Sequence, residues 1–239
     1  MTKILAIEAA SDSCSVALQY NGETLQRLES APRMHSRLLY PMLNSVMEEA
    51  GLRPNQLDAV AFVNGPGSFT GLRIAAATAQ GIGYACDIPL LGISTLQAMA
   101  QQAYETHNAS NVLSIMDARM NEIYLGHYAY DAETQLMAPV TQDKIAPVNT
   151  TLSEAGVQTE QAYGCGHGFK LGEQLDASIT DACSDIDPEQ VLEAKSLLPK
   201  AHYLFENNQT LKPEEVELVY LREQSHWKTI KEQEQKQLK

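Results

Sequence analysis

The first 105 residues switch repeatedly between the two spacings of regular structure. Residues 3–10, KILAIEAA, are a mainly apolar run of strand length. Two more strand-like runs flank Asn21–Gly22, the dipeptide that closes two-residue hairpins. Downstream, Leu38, Leu39, Met42, Leu43, Val46 and Met47 recur at helical spacing, and Gly51 supplies a stop. The pattern predicts a helix over 36–50. Residues 57–64, LDAVAFVN, read as a buried strand and 71–86 as a second helix. IPLLGIS reads as another strand and TLQAMAQQAYE as a third helix. A hairpin followed by alternating helices and strands predicts an α/β sheet with helices packed on it.

The texture changes near 107–111. NVLSIMDARMNEIYLGHYAYD restarts as strand, turn and strand, with alternation around Ile123, Leu125 and Tyr128. A looser stretch carries Pro139 and Pro147 and leads into AYGCGHGFKL. Residues 188–207 then read as an amphipathic helix. The pattern divides the chain into an α/β lobe over 1–105, a second, smaller α/β lobe over 106–225 and a polar tail over 226–239.

The most informative stretch is NGPGSFTGLRIAAATAQGIG, a glycine loop that opens a helix. Such loops often hold phosphate. This one lacks the lysine of a P-loop, because Leu72 and Arg73 follow Gly71. Gly65, Gly67 and Gly71 also miss the spacing of a dinucleotide loop, and Pro66 removes a backbone donor. A structural glycine loop (Gly65, Pro66, Gly67, Gly71) fits better. A serine nucleophile elbow fails for want of glycine at Pro66.

Within the helix, Gly71, Ala75, Ala79 and Gly83 recur every four residues as a smooth stripe, and Leu72, Ile74, Ala76, Ala77 and Ile82 make the other faces apolar. A helix apolar all round is covered on more than one side. The cover is either its own fold or another protein. The Met-rich stripe of the preceding helix favours a partner, since methionine suits surfaces that re-pack.

Charge narrows the function. Lys and Arg number 17 against 30 acidic residues, a net charge of −13, which argues against a chain that grips nucleic acid alone. No run is apolar for ~20 residues, so no membrane span is expected. The start carries too little apolar sequence for a secretory signal, so Cys14, Cys86, Cys165 and Cys183 read as reduced thiols in a cytoplasmic protein. The six histidines show no HxxxH or HExxH spacing, and no metal or other cofactor is expected. Asp117 and Arg119 read as surface turn chemistry, and Gly164–Gly168 as a plain turn or a place where backbone comes close to a ligand.

The stretches ILAIEAASDSCSVAL, NGPGSFTGLR and IPLLGISTLQAMA, in that order, resemble the TsaB (YeaZ) family. These proteins are needed to make threonylcarbamoyl-adenosine at position 37 of tRNAs that read ANN codons. The resemblance covers essentially the whole chain. It implies a two-lobed actin/Hsp70/sugar-kinase (ASKHA) type fold of mixed sheets with helices. It also implies partners: TsaD, the related subunit that carries the transfer chemistry, and TsaE, a small ATPase.

TsaD-like sequences place a metal-binding HxxxH pair where this chain has Thr95 and Met99. The first strand ends Glu8-Ala9-Ala10 instead of Asp-Thr-Ser, which leaves Glu8 and Ser11 as candidates for a weak nucleotide site. The resemblance therefore implies a scaffold without catalytic residues. Its expected contact face with TsaD comprises Leu38, Leu39, Met42, Leu43, Val46, Met47, Gly71, Leu72, Ala75, Ala79 and Gly83. The same face would pair two copies as a homodimer when TsaD is absent, and tRNA would be met only indirectly. The alternative is an ATP-binding or ATP-hydrolysing enzyme of the same fold.

Overall fold

A computed structural model describes residues 2–30 and 34–222; the tail expected at 226–239 lies outside the described residues. The first sheet holds β1 (Ile4–Glu8), β2 (Ser13–Tyr20), β3 (Glu23–Ser30), β4 (Ala59–Gly65) and β5 (Leu90–Ser94), in the order β3-β2-β1-β4-β5. β1 runs antiparallel to β2 and parallel to β4, so the sheet is mixed. The β2–β3 hairpin turns on Asn21 and Gly22, with φ of 51° and 83°, the left-handed pair that the dipeptide predicts.

Every residue of β1 is buried, which shows that both faces of this sheet are covered. Part of the cover is α1 (His35–Ala50), packed on β2 and β3, and α2 (Phe69–Cys86), packed on β4. α1 ends at Gly51 and α2 at Asp87, each in the left-handed conformation that closes a helix.

The second sheet holds β6 (Asn111–Arg119), β7 (Glu122–Asp131), β8 (Leu136–Pro139), β10 (Ala162–Cys165) and β11 (Cys183–Asp187), in the order β11-β10-β6-β7-β8. A sixth strand, β9 (Lys144–Pro147), also pairs with β7. β6 and β7 form a hairpin, so each lobe's sheet contains one. A five-residue helix, α4 (Ala177–Asp181), packs beside β11.

Between the sheets lies α3 (Thr95–His107), in which every residue from 95 to 103 except Gln97 is buried. Its polar groups tie it to the second sheet. Ser114 Oγ donates to the Leu96 carbonyl at 2.9 Å, and the Gln101 side-chain oxygen accepts from Met137 N at 3.0 Å.

The helix expected over 188–207 is shorter than its pattern. A 3-10 turn spans Ala194–Leu197, and α5 covers Leu198–Glu206. The reason is local. Pro199 stands in the first turn of α5, where a missing N–H costs nothing, and would break a helix interior. Glu193 N is drawn off to Gln102 at 2.9 Å. α5 packs on β1, β4 and β5, so residues 194–206 return to the first sheet after the second is complete.

Candidate functional site

The turn after β1 is built on Glu8. Its carboxylate is fully buried and accepts from Ala10 N at 2.8 Å, Ser11 N at 3.2 Å, Ser11 Oγ at 3.3 Å and Ser13 Oγ at 3.2 Å. Burial outweighs these bonds and raises its pKa to about 7. Nε2 of buried His35 reaches the carbonyls of Ser11 and Ser13, both at 2.9 Å, and pins the turn from α1. Glu8 is thus a structural carboxylate turned into its own turn.

The glycine loop folds onto the same turn. Ser68 N donates to the Ala10 carbonyl at 2.7 Å, and Ser68 Oγ caps α2 by accepting from Gly71 N at 3.3 Å. A Cβ on Gly67 would stand 2.8 Å from that of Ala10, and one on Gly71 would stand 1.8 Å from the Ala9 carbonyl oxygen. The glycines therefore let backbone touch backbone, and Ser68 N and Gly71 N are engaged within the chain.

The two lobes face each other across a cleft of about 820 Å³. Ser11, Asp12 and Ser68 line it from the first lobe, and Met116, Asp117 and His167 from the second. Asp117 and Arg119, read from sequence as a surface turn, border this cleft. Arg119, Met120 and Asn121 all have positive φ, and Asp117 holds the turn through Arg119 N at 2.7 Å and the Arg119 guanidinium at 2.9 Å. His167 Nδ1 accepts from Asp117 N at 3.3 Å, and burial lowers its pKa, which favours the neutral ring. Next to it, a Cβ on Gly166 would stand 2.5 Å from the Ile115 carbonyl oxygen, so the backbone of this run lies directly against β6.

Val219, Tyr220 and Arg222 border the cleft as well, and the sequence offered only the apolar positions of ELVYLR as a hint of it. Phe69 and Tyr220 pack with their rings tilted at 44° and 5.6 Å between centroids, and the Arg73 guanidinium lies 3.7 Å above the Phe69 ring.

Most of the expected contact face is covered within the chain. Leu39, Met42, Leu43, Val46, Met47, Gly71, Leu72, Ala75, Ala79 and Gly83 are buried within the chain, and Leu38 is half-buried. The α1 stripe packs on β2 and β3 and the α2 stripe on β4. The close approach at the small-residue stripe is made by the chain itself: a Cβ on Gly83 would meet Pro213 Cγ at 2.9 Å and Leu90 Cδ2 at 3.1 Å.

A different stripe faces water. On α1 it contains Tyr40, 69% exposed, and Pro41; on α2 it contains Ala77, Gly81 and Tyr84, the last 61% exposed, with Ile74 half-buried. α1 and α2 touch. Thr95 and Met99 are buried in α3. Among the described residues no group of three His, Cys, Asp or Glu side chains comes together to hold a metal ion, and no helix is long and apolar enough to cross a membrane.

Two mixed sheets facing across a cleft, each with its own hairpin, define an α/β protein of the two-lobed, actin-like class. Residues 29–198 match the family model described as TsaD: tRNA N6-adenosine threonylcarbamoyltransferase. The tRNA threonylcarbamoyladenosine biosynthesis protein TsaB of Haemophilus influenzae is 34% identical over 241 residues, covering 95% of this chain and 96% of that one. The protein of the same name from Escherichia coli is 33% identical, covering 95% and 98%. The solved structure of YeaZ from Pseudomonas aeruginosa superposes with a TM-score of 0.84 at 31% identity, over 92% of this chain and 100% of that one. The chain belongs to the TsaB (YeaZ) family.

Proposed function

We propose that this protein serves tRNA threonylcarbamoyladenosine biosynthesis in the cytoplasm as a non-catalytic subunit that pairs with TsaD. The observation that carries this reading is the self-satisfied turn at Glu8. A nucleotide-handling lobe needs its first carboxylate and the head of its first long helix free for phosphate and metal. Here Glu8 is spent on Ala10, Ser11 and Ser13, while Ser68 and Gly71 are spent on Ala10 and on the cap. Thr95 and Met99, which stand where the resemblance places a metal-binding pair, are buried, and neither suits such an ion. The alternative, an ATP-binding or ATP-hydrolysing enzyme, would need the Glu8 carboxylate released from its turn.

TsaD meets the exposed stripe of Tyr40, Pro41, Ala77, Gly81 and Tyr84. These residues are small or aromatic, as suits a surface where helices approach closely around a few large anchors. Two copies pair through the same stripe when TsaD is absent, in an isologous contact. TsaE joins the pair and supplies ATP hydrolysis, while tRNA and the activated threonylcarbamoyl group are held on TsaD.

The test is to weigh the mixture of this protein with TsaD by light scattering and to titrate each partner with ATP. A stable complex, with no ATP turnover by this chain alone, is expected. Turnover by the isolated chain overturns the reading.

A further inference from the structure

We propose that residues 216–222 are a brace that fixes the opening between the two lobes, with Arg222 as its clamp on the second. The segment approaches along the first lobe. Leu211 bridges Leu90 through two backbone bonds of 2.8 Å at the edge of β5, and Gln80 Nε2 on α2 donates to the Pro213 carbonyl at 2.7 Å. It is then seated at the end of β4: Val219 N donates to the Asn64 carbonyl at 2.7 Å.

Gly65 makes room for that seat. Its φ is +122°, and a Cβ there would stand 2.4 Å from the Val219 carbonyl oxygen. The next side chain, Tyr220, packs its ring at a tilt against Phe69, and its hydroxyl accepts from Arg73 Nε at 3.3 Å. Two residues later the chain is attached to the other lobe. The Arg222 guanidinium donates to the Ala118 carbonyl at 3.2 Å and the Arg119 carbonyl at 3.4 Å, and it pairs with the Glu122 carboxylate. All three partners belong to the β6–β7 hairpin.

Seven residues thus carry attachments to both walls of the cleft. Arg222 and Glu122 are largely shielded, with side chains 17% and 27% exposed, so the pair is stronger than one open to solvent. The lobes share α3, and rigid-body motion about it would widen or narrow the cleft. A strap attached to both sides of the mouth opposes that motion.

The test is amide hydrogen exchange on the full chain, comparing wild type with Arg222→Ala and with Glu122→Gln, which removes the charge of the clamp from the opposite side. Three amides report. Val219 N reads the seat, Ser68 N reads the first lobe's cleft-facing turn, and Asp117 N, which donates to His167, reads the second's. Exchange about ten-fold faster at all three in either folded variant is expected, because releasing the clamp frees both walls. Acceleration confined to Val219, or none at any of the three, overturns the brace and leaves the segment as a local surface contact. Thermal melts establish which variants are folded; if Arg222→Ala is not, Glu122→Gln decides.

Discussion

Gly71 lies so close to Ala9 that a single methyl group on it would stand 1.8 Å from the Ala9 carbonyl oxygen. Two pieces of backbone, one from the turn after β1 and one from the head of α2, touch there with nothing between them. Neither can retreat, because Ser68 N is bonded to Ala10 and Gly67 is packed against it.

Gly71→Ala is therefore expected to destabilise the protein by roughly 3–5 kcal/mol, in the range of severe overpacking. Gly81 makes the contrast: a Cβ there meets nothing within 4 Å. Gly81→Ala is expected to stabilise the exposed middle of α2 by about 1 kcal/mol. Paired thermal or urea melts check both, and equal stability of the two variants contradicts the packing described.

The buried stripes of α1 and α2 make a second prediction. Val46 is fully buried and Met42 is 6% exposed. Placing glutamate at both positions is expected to unfold the chain, since each carboxylate would lie in the core without a partner. Ala79→Trp is expected to do the same by overfilling the α2–β4 contact. Circular dichroism distinguishes this from the result a partner-facing stripe would give, a well-folded monomer that has lost only its pairing.

The exposed stripe behaves in the opposite way. Tyr84→Arg together with Ala77→Arg is expected to leave the melting curve within about 0.5 kcal/mol of wild type, as for most surface changes. The same double variant should abolish co-elution with TsaD in gel filtration. Retained co-elution would move the contact off α2.

Glu8 gives stability a pH dependence whose sign is fixed by its burial. In the folded chain it holds its proton up to about pH 7, whereas the unfolded value is 4.5. Between those values the folded state binds more protons than the unfolded one, so stability falls as pH rises and levels off above about 7. The full effect is about 3 kcal/mol. Glu8→Gln keeps acceptors for Ala10 and Ser11 and carries no charge. The loss between pH 4.5 and 7.5 is expected to be smaller in that variant, measured by urea melts at each pH.

Particular residues show how much of this was legible in the chain. Asn21–Gly22 announced the hairpin because few other residue pairs reach left-handed φ twice in succession. Gly65, Pro66, Gly67 and Gly71 announced a structural loop because a phosphate cradle needs donors and a lysine that they lack. The stripes of α1 and α2 were visible, but their cover was not. An apolar stripe demands burial and does not say by what, and Pro213, which comes within reach of Gly83, follows it by 130 positions in the sequence. The same distance hid Arg222 and Tyr220. A cleft border assembled from segments that meet only after both sheets have formed leaves no periodic trace along the chain.

The position of α3 bears on how this molecule can be divided. Its buried residues supply part of the inner wall of both lobes, and α5 arrives from beyond the second sheet to close the first. A fragment cut after residue 105 would keep the helix, lose the sheet that shelters it, and leave β1, β4 and β5 without α5. Neither half is a self-sufficient unit, and an attempt to produce the lobes separately would yield pieces that cling to one another or to whatever else is at hand.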